Sequence, residues 1–305
     1  VGISFYTFRI IAHLVDCYRN QQQCPSFLDY AVYVSYFPQI TSGPISRPDE
    51  FYTQLNSSKK YDYQVETVII LIISGLFKKY TLSSFLFEIT TLPFSSPEQY
   101  SSVDLILSAL AYSCLIYVDF SGYSDLANAI SSLLGFKPIQ NFNMPYRSQS
   151  LQEFWRRWHI SLSEWLRDYL YIPLGGSRVG TVKKVRNTFA IFLVSGFWHG
   201  ANWTFIIWGF LNAVYFLPSL LGNKNRKYLN DIAENRILPS FGEILLVLKT
   251  FFLTVLAWIF FRAESVSQAI NYLAEIFSTS FFQLPDFEEK INAILALLIN
   301  FCCAS

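Results

Sequence analysis

Apolar residues in this chain fall into long runs, and one stretch combines a helical apolar period with dense charge. Residues 148–176, SQSLQEFWRRWHISLSEWLRDYLYIPLGG, place Leu151, Phe154, Trp155, Trp158, Leu162, Trp165, Leu166 and Tyr169 on one arc at about 100° per residue. Glu153, Arg156, Arg157, Glu164, Arg167 and Asp168 fall on the opposite arc, with His159 on the border between them. Ser150 followed by Glu153 reads as a capping box that starts a helix, and Pro173 with Gly175 and Gly176 ends it. A helix so charged on one side cannot cross a bilayer alone. It belongs in the interface or beside a wet cavity inside a membrane protein.

The remaining runs supply that membrane protein. Residues 3–15 read as the second half of a membrane helix ending at Asp16 and Arg19, with His13 as a satisfied structural residue. Residues 65–87 form a span interrupted by Lys78 and Lys79, which suit a cytoplasmic boundary. Residues 103–118 and 126–135 are apolar and flank Asp119 and Asp125. Carboxylates there are costly in hydrocarbon and must face protein or water. Residues 243–261 make another span, closed by Arg262 and Glu264, while 267–279 and 291–303 are shorter. Between these runs, ITSGPISRPDEF at 40–51 packs prolines, a glycine and acids as a loop or re-entrant turn, and 136–147 reads as an interfacial linker. The basic stretch 177–186 carries no acid and is expected on the cytoplasmic side.

The longest run, 188–221, is too long for one straight span of about 20 residues and too short for two. Gly196, His199, Gly200 and Asn202 lie where a break is expected. The next loop is basic again at Lys224, Arg226 and Lys227, diluted by Asp231 and Glu234. A segment that dips in and returns, with His199 near its tip, satisfies both flanking loops.

Composition agrees with this picture. Charged residues make up 15% of the 305, where a soluble domain carries about 25%. A net charge of +1 gives no sign of a nucleic-acid partner. Cys17, Cys24, Cys114, Cys302 and Cys303 form no CxxC pair and no His-spaced ligand set, so no metal is expected. The chain opens on Val1-Gly2 inside an apolar stretch. It is expected to be a single domain over residues 1–305, truncated at its N-terminus and also at its C-terminus. The fold class expected is all-α: a polytopic integral membrane protein with interfacial amphipathic and re-entrant helices around a polar core.

Two of the three histidines occupy places that suggest chemistry. His199 sits between Trp198 and Gly200 inside an apolar run, and His159 borders an aromatic stripe. An imidazole withdrawn from water is held neutral, the state a general base needs. Gly196 and Gly200 would let a substrate approach the backbone, and Asn202 offers a donor to a developing oxyanion. Without a nucleophile elbow, phosphate loop or HExxH motif, base-assisted acyl transfer to a hydroxyl is the chemistry best supported. A helix–helix hydrogen bond for His199 stands level with it on residue chemistry alone. For Asp119 and Asp125, pairing with Arg156 or Arg157 is as good a reading as catalysis. Arg156 and Arg157 could attract donor phosphates or simply form a solvated face.

FPQITSGPISRPDEF at 37–51, YVDFSGYSDLA at 117–127, NFNMPYRSQSLQEFWRRWHISLSEWLRDYLYIPLGG at 141–176 and FWHGANWTFIIWG at 197–209 together resemble the membrane-bound O-acyltransferases. The match is to the branch of the alginate O-acetyltransferase membrane subunit. The resemblance implies a ring of helices around a thin, water-accessible core in a multi-pass protein of the cytoplasmic membrane. It implies His199 as the principal catalytic residue, His159 in support by orienting the donor or its oxyanion, and no bound cofactor. It further implies transfer of an acetyl group from a cytoplasmic donor, acetyl-CoA, toward an exported polysaccharide, directly or through a periplasmic acetyltransferase partner. The D-alanyl-lipoteichoic acid branch shares the FSGYSD and RWHISLS elements, so D-alanyl transfer is the alternative. A non-enzymatic polysaccharide export component is the rival from another class.

Overall fold

The computed structural model describes residues 3–278 apart from 21–24, 59–60, 223–231, 234–235 and 237. Among the described residues it is all-helical. In order the helices are α1 Ile3–Asn20, α2 Phe27–Ser35, α3 Pro48–Asn56, α4 Val65–Leu76, α5 Ser83–Ser95, α6 Ser102–Leu133, α7 Leu151–Arg157, α8 Ile160–Leu166, α9 Thr181–His199, α10 Trp203–Leu221, α11 Phe241–Arg262 and α12 Val266–Ile276. Among the described residues, four stretches are long and apolar enough to cross a membrane: Val65–Ser95, Ser102–Leu133, Trp203–Leu221 and Phe241–Arg262. They carry outward-facing Ile70, Ile73, Leu92, Leu107, Phe210, Leu248 and Phe252, a surface that water would not tolerate and lipid does. The stretch 291–303 and the basic residues after α10 lie outside the described residues.

The interruption at Lys78 and Lys79 does not break the helix. A π-helical turn, Phe77–Leu82, joins α4 to α5 without a break. It turns both lysines toward α6, where Lys78 Nζ meets Asp125 at 2.7 Å and Lys79 Nζ meets Asp119 at 2.6 Å. These lysines, rather than Arg156 and Arg157, neutralise the two carboxylates. Lys78 and Ser74, which both hold Asp125, lie four residues apart on one helix face. The backbones approach closely beneath the pairs: a Cβ on Gly75 would lie 2.9 Å from the Gly122 carbonyl oxygen. Small residues allow such crossings in lipid, and the Lys78–Asp125 pair then lies half-buried in the seam between the helices. Asp125→Asn alone is expected to destabilise by roughly 1–3 kcal/mol, between exposed and buried pairs. Lys78→Met with Asp125→Leu is expected to recover most of that loss, read as thermal midpoints in detergent.

α1 extends past the expected end and packs on α2 and α3. Arg9 in its middle is 1% exposed and lies 4.4 Å over the Tyr33 ring. His13 is structural, as expected, with Tyr52 Oη 3.2 Å from its Nδ1. It also touches Cys17 at 3.8 Å, one turn along, so a His–Cys neighbour pair does exist. The irregular stretch before α3 is folded inward: Gly43, Pro44, Ile45 and Ser46 are buried. Several of its backbone groups are satisfied by protein, as irregular backbone withdrawn from water requires. The Tyr33 hydroxyl donates to the Ser46 carbonyl at 2.9 Å, and the Ile45 amide donates to Ser161 Oγ at 3.0 Å.

Residues 188–221 form most of a helical hairpin: the last twelve residues of α9, the turn and the whole of α10. α9 and α10 are antiparallel: a Cβ on Gly196 would lie 2.3 Å from the Phe205 carbonyl oxygen, and one on Gly209 would lie 2.3 Å from that of Phe192. The chain reverses at Gly200–Asn202, and His199 is the last residue of α9. Gly196 therefore makes room for a helix, not for a substrate. Gly200 faces the Phe205 ring, which a Cβ there would meet at 2.6 Å.

Candidate active site

The stretch 148–176 is not one continuous helix. Its start is as expected, with Ser150 Oγ accepting from the Glu153 amide at 3.2 Å. The Glu153 carboxylate accepts from the Gln149 amide, one residue before the cap, at 2.8 Å. The helix then breaks at His159, which adopts a left-handed conformation, φ 44° and ψ 54°. No glycine or proline forces this. The linker preceding α7 does: the Ile160 amide donates to the Asn141 carbonyl and the Asn143 amide to the Arg157 carbonyl, each at 2.9 Å. Two bonds of the helical ladder are thereby exchanged for bonds to the linker. A non-glycine residue in this region costs of order 1–3 kcal/mol and persists where its surroundings over-determine it.

The break turns His159 from the helix border into the interior, where it is 2% exposed. Phe120 meets its ring edge-on at 4.6 Å, Phe5 stacks at 6.2 Å and Trp198 lies at 6.4 Å. His159 Nδ1 is 3.2 Å from Asn141 Oδ1, whereas Nε2 has no hydrogen-bond partner among the described residues. Asn141 Oδ1 also takes the Ser161 hydroxyl at 2.9 Å and the Ser161 amide at 3.3 Å, and its Nδ2 donates to Ser124 Oγ at 3.2 Å.

His199 approaches from the hairpin tip. Trp198 at 4.7 Å, Phe261 at 4.9 Å and Trp208 at 5.2 Å surround its ring. Both histidines line one cavity of 530 Å³, walled by Trp155, Leu162, Ile191 and Phe192, with Arg156 and Arg167 also on its lining. Volumes of this order accommodate small-molecule substrates. The pairing of His159 with His199 across 40 residues of sequence is made by α8 packing beside the α9 tip through Trp198.

The other expected residues divide. Arg156 reaches the cavity. Arg157 does not: it bridges to Glu153, Nε to Oε1 at 3.0 Å, with both side chains largely buried. Asn202 is a helix cap whose Oδ1 accepts from the Thr204 amide at 3.1 Å and whose Nδ2 donates to the Glu264 carbonyl at 2.8 Å. It lines an outer groove with Phe197 and Trp203 and is not on the histidine cavity, so the geometry does not place it as an oxyanion donor. Asp119 lines a second cavity with Ser83, Glu88 and Phe261. Asp125 is held in the lysine seam. Sequence reasoning missed Asn141, Ser161 and Arg167. Asn141 is one of several polar residues in the linker 136–147, beside Lys137, Gln140, Asn143 and Arg147, and nothing local singles it out.

A charge network ties the early loop to this region. Arg47 bonds Asp168, which also accepts from Arg167 Nε at 2.6 Å. Burial pushes the Asp168 carboxyl up, but the hydrogen bond and charge of Arg167 and the charge of Arg47 outweigh it and hold it below its usual 3.8. A carboxyl lowered in the folded state stabilises above its unfolded value, and that contribution fades as pH falls through the folded value. Thermal midpoints measured below about pH 4 should therefore fall less steeply for Asp168→Asn than for the parent chain.

Residues 5–227 match the membrane-bound O-acyltransferase family over well more than half the chain. The chain belongs to that family. It is 38% identical over 287 residues to the "Probable alginate O-acetylase AlgI" of Pseudomonas aeruginosa, covering 94% of this chain and 53% of that protein. It is 36% identical over 301 residues to the peptidoglycan O-acetyltransferase of Helicobacter pylori, covering 90% and 56%. A teichoic acid D-alanyltransferase of Streptococcus thermophilus is 29% identical over 265 residues, covering 79% and 64%. The chain thus spans little more than half the length of the first two relatives. With the four apolar spans, family membership makes this a multi-pass membrane protein.

Proposed function

We propose that the protein containing this chain is an O-acyltransferase that moves an acetyl group from a cytoplasmic donor, acetyl-CoA, toward hydroxyls of an exported polysaccharide in the cytoplasmic membrane. The observation that carries the reading is the convergence of His159 and His199, from separate helices, on one cavity that also bears Arg156 and Arg167. The arginines suit a phosphate-bearing donor, and the apolar walls suit its thin acyl-bearing arm. His199 takes the proton of the acceptor hydroxyl as the oxygen attacks the thioester carbonyl. The C–O bond forms, the C–S bond breaks, and the departing sulfur receives the proton. The acceptor is a polymer hydroxyl, or a periplasmic acetyltransferase partner that hands the group on. The names of the P. aeruginosa and H. pylori relatives both support acetyl as the group moved.

The test is transfer by the full-length protein in proteoliposomes supplied with isotopically labelled acetyl-CoA and polysaccharide. Mass spectrometry of the product is expected to show added acetyl. D-alanyl addition instead would assign the protein to the chemistry of its S. thermophilus relative. Export of unmodified polymer with no transfer would make it a non-enzymatic component.

A further inference from the structure

The hydrogen bonds around Asn141 determine more than the break in the helix. Asn and His side chains leave atom assignments open, because an amide can be flipped and an imidazole can carry its proton on either nitrogen. Here one partner removes the ambiguity. The Ser161 backbone amide can only donate, and it lies 3.3 Å from Asn141 Oδ1, so that atom is the carbonyl oxygen. The opposite end of the amide faces Ser124 Oγ at 3.2 Å, which accepts. His159 Nδ1 lies 3.2 Å from the same oxygen and must therefore be its donor. A neutral imidazole with a proton on Nδ1 has none on Nε2. That nitrogen is buried and has no partner among the described residues, on a ring that lines the cavity.

We propose that Asn141 is a positioning residue that locks His159 as its Nδ1–H tautomer, so that Nε2 serves the cavity as a hydrogen-bond acceptor for a substrate O–H or N–H. This rests on the acyl-transfer reading of the cavity. It revises the supporting role expected for His159, since a neutral imidazole in this tautomer has no Nε2 proton to give an oxyanion. The left-handed backbone at His159 belongs to the same device. Ile160 and Ser161 bond the backbone and side chain of Asn141 respectively, so the residue that sets the ring's proton also supplies one of the two linker bonds at the break. The other titratable or charged groups on the cavity are His199, Tyr171, Arg156 and Arg167, while Phe5, Phe120 and Trp198 pack the remaining faces of the ring.

Nitrogen-15 NMR of the full-length protein with labelled histidine, His159 assigned by comparison with His159→Gln, reads the tautomer without requiring activity. A pyridine-type resonance at Nε2 is expected; one at Nδ1 overturns the proposal. Kinetics of acetyl transfer supply the second arm. Asn141→Ala is expected to lower kcat about 100-fold, in the range of general acid–base effects, with the donor KM within about threefold of the parent. Asn141→Asp keeps an oxygen that accepts from Ser161 and His159 but adds a negative charge that favours imidazolium. The acidic limb of its kcat profile is expected to move up by one pH unit or more. A profile for Asn141→Asp that superimposes on the parent overturns the proposal and leaves Asn141 as a packing residue. If the parent protein transfers no acyl group, the acyl-transfer reading fails, and the NMR arm still decides the tautomer.

Discussion

His199→Ala in the full-length protein is expected to lower acetyl transfer by about 10²–10⁴-fold while leaving the protein folded and in the membrane. His199 ends α9 at the reversal of the hairpin and adjoins the cavity it shares with His159. Its ring is held by Trp198, Trp208 and Phe261, which contribute no charge and leave the imidazole as the basic group on that wall. Removing it takes away the proposed proton acceptor and little packing, because the surrounding rings pack largely on one another: Trp208 stacks on Trp258 at 5.8 Å and meets Phe261 at 5.2 Å. Polymer acetyl content measured in cells, beside the amount of membrane protein, checks this. Normal acetylation with normal protein levels would remove His199 from the mechanism. His199→Gln retains hydrogen bonding without basicity and is expected to be as inactive as the alanine variant.

Gly209→Ala and Gly196→Ala are expected to reduce the yield of folded protein sharply, because each puts a Cβ 2.3 Å from a backbone oxygen of the opposing helix. A carbonyl cannot swing aside as a side-chain tip can, so α9 and α10 must separate along their whole contact. Overpacking in a close-packed interior costs about 1–3 kcal/mol, and a backbone clash belongs at or above the top of that range. The separation would also move His199 relative to His159, so residual protein is expected to be inactive. Gly180→Ala is the control: a Cβ there meets nothing within 4 Å, and no effect on yield, melting or transfer is expected. Size-exclusion profiles and thermal midpoints of the three variants in one detergent decide the matter. Equal behaviour of all three would show that the hairpin does not depend on close backbone contact.

The spans around residues 65–95, 102–133 and 241–262 were legible as apolar runs, because lipid demands apolar side chains whatever the neighbours are. The start of α7 was legible for a local reason too, since a capping serine bonds an amide three residues away. The partners of the lysine pair at 78–79 were not legible. Adjacent charges in an apolar run look like a membrane edge, and only the opposing acids of α6 show why they are tolerated. Asn202 was misread for a similar reason: a polar residue beside a catalytic candidate is indistinguishable in sequence from a helix cap, and the Thr204 amide and Glu264 carbonyl occupy both ends of its amide.

The candidate site shows the division most clearly. The two histidines, their aromatic settings and the break after His199 are properties of local sequence, because an ionisable residue in an apolar run and a glycine after it are visible one segment at a time. The orientation of His159 is not. Nothing in RRWHIS interrupts a helix. The interruption is imposed by hydrogen bonds from Asn141 and Asn143, 14 or more residues earlier in the chain. Sequence by itself thus determined the class of molecule, an all-helical membrane protein with two imidazoles in unusual places. Tertiary structure alone decided which polar groups face each other: Lys78 with Asp125, Arg47 with Asp168, and Asn141 with His159. The physical reason is range. Hydrophobic periodicity records each segment's demand on its surroundings, whereas a hydrogen bond or an ion pair needs a partner within about 3 Å, and only the packing of distant segments supplies one.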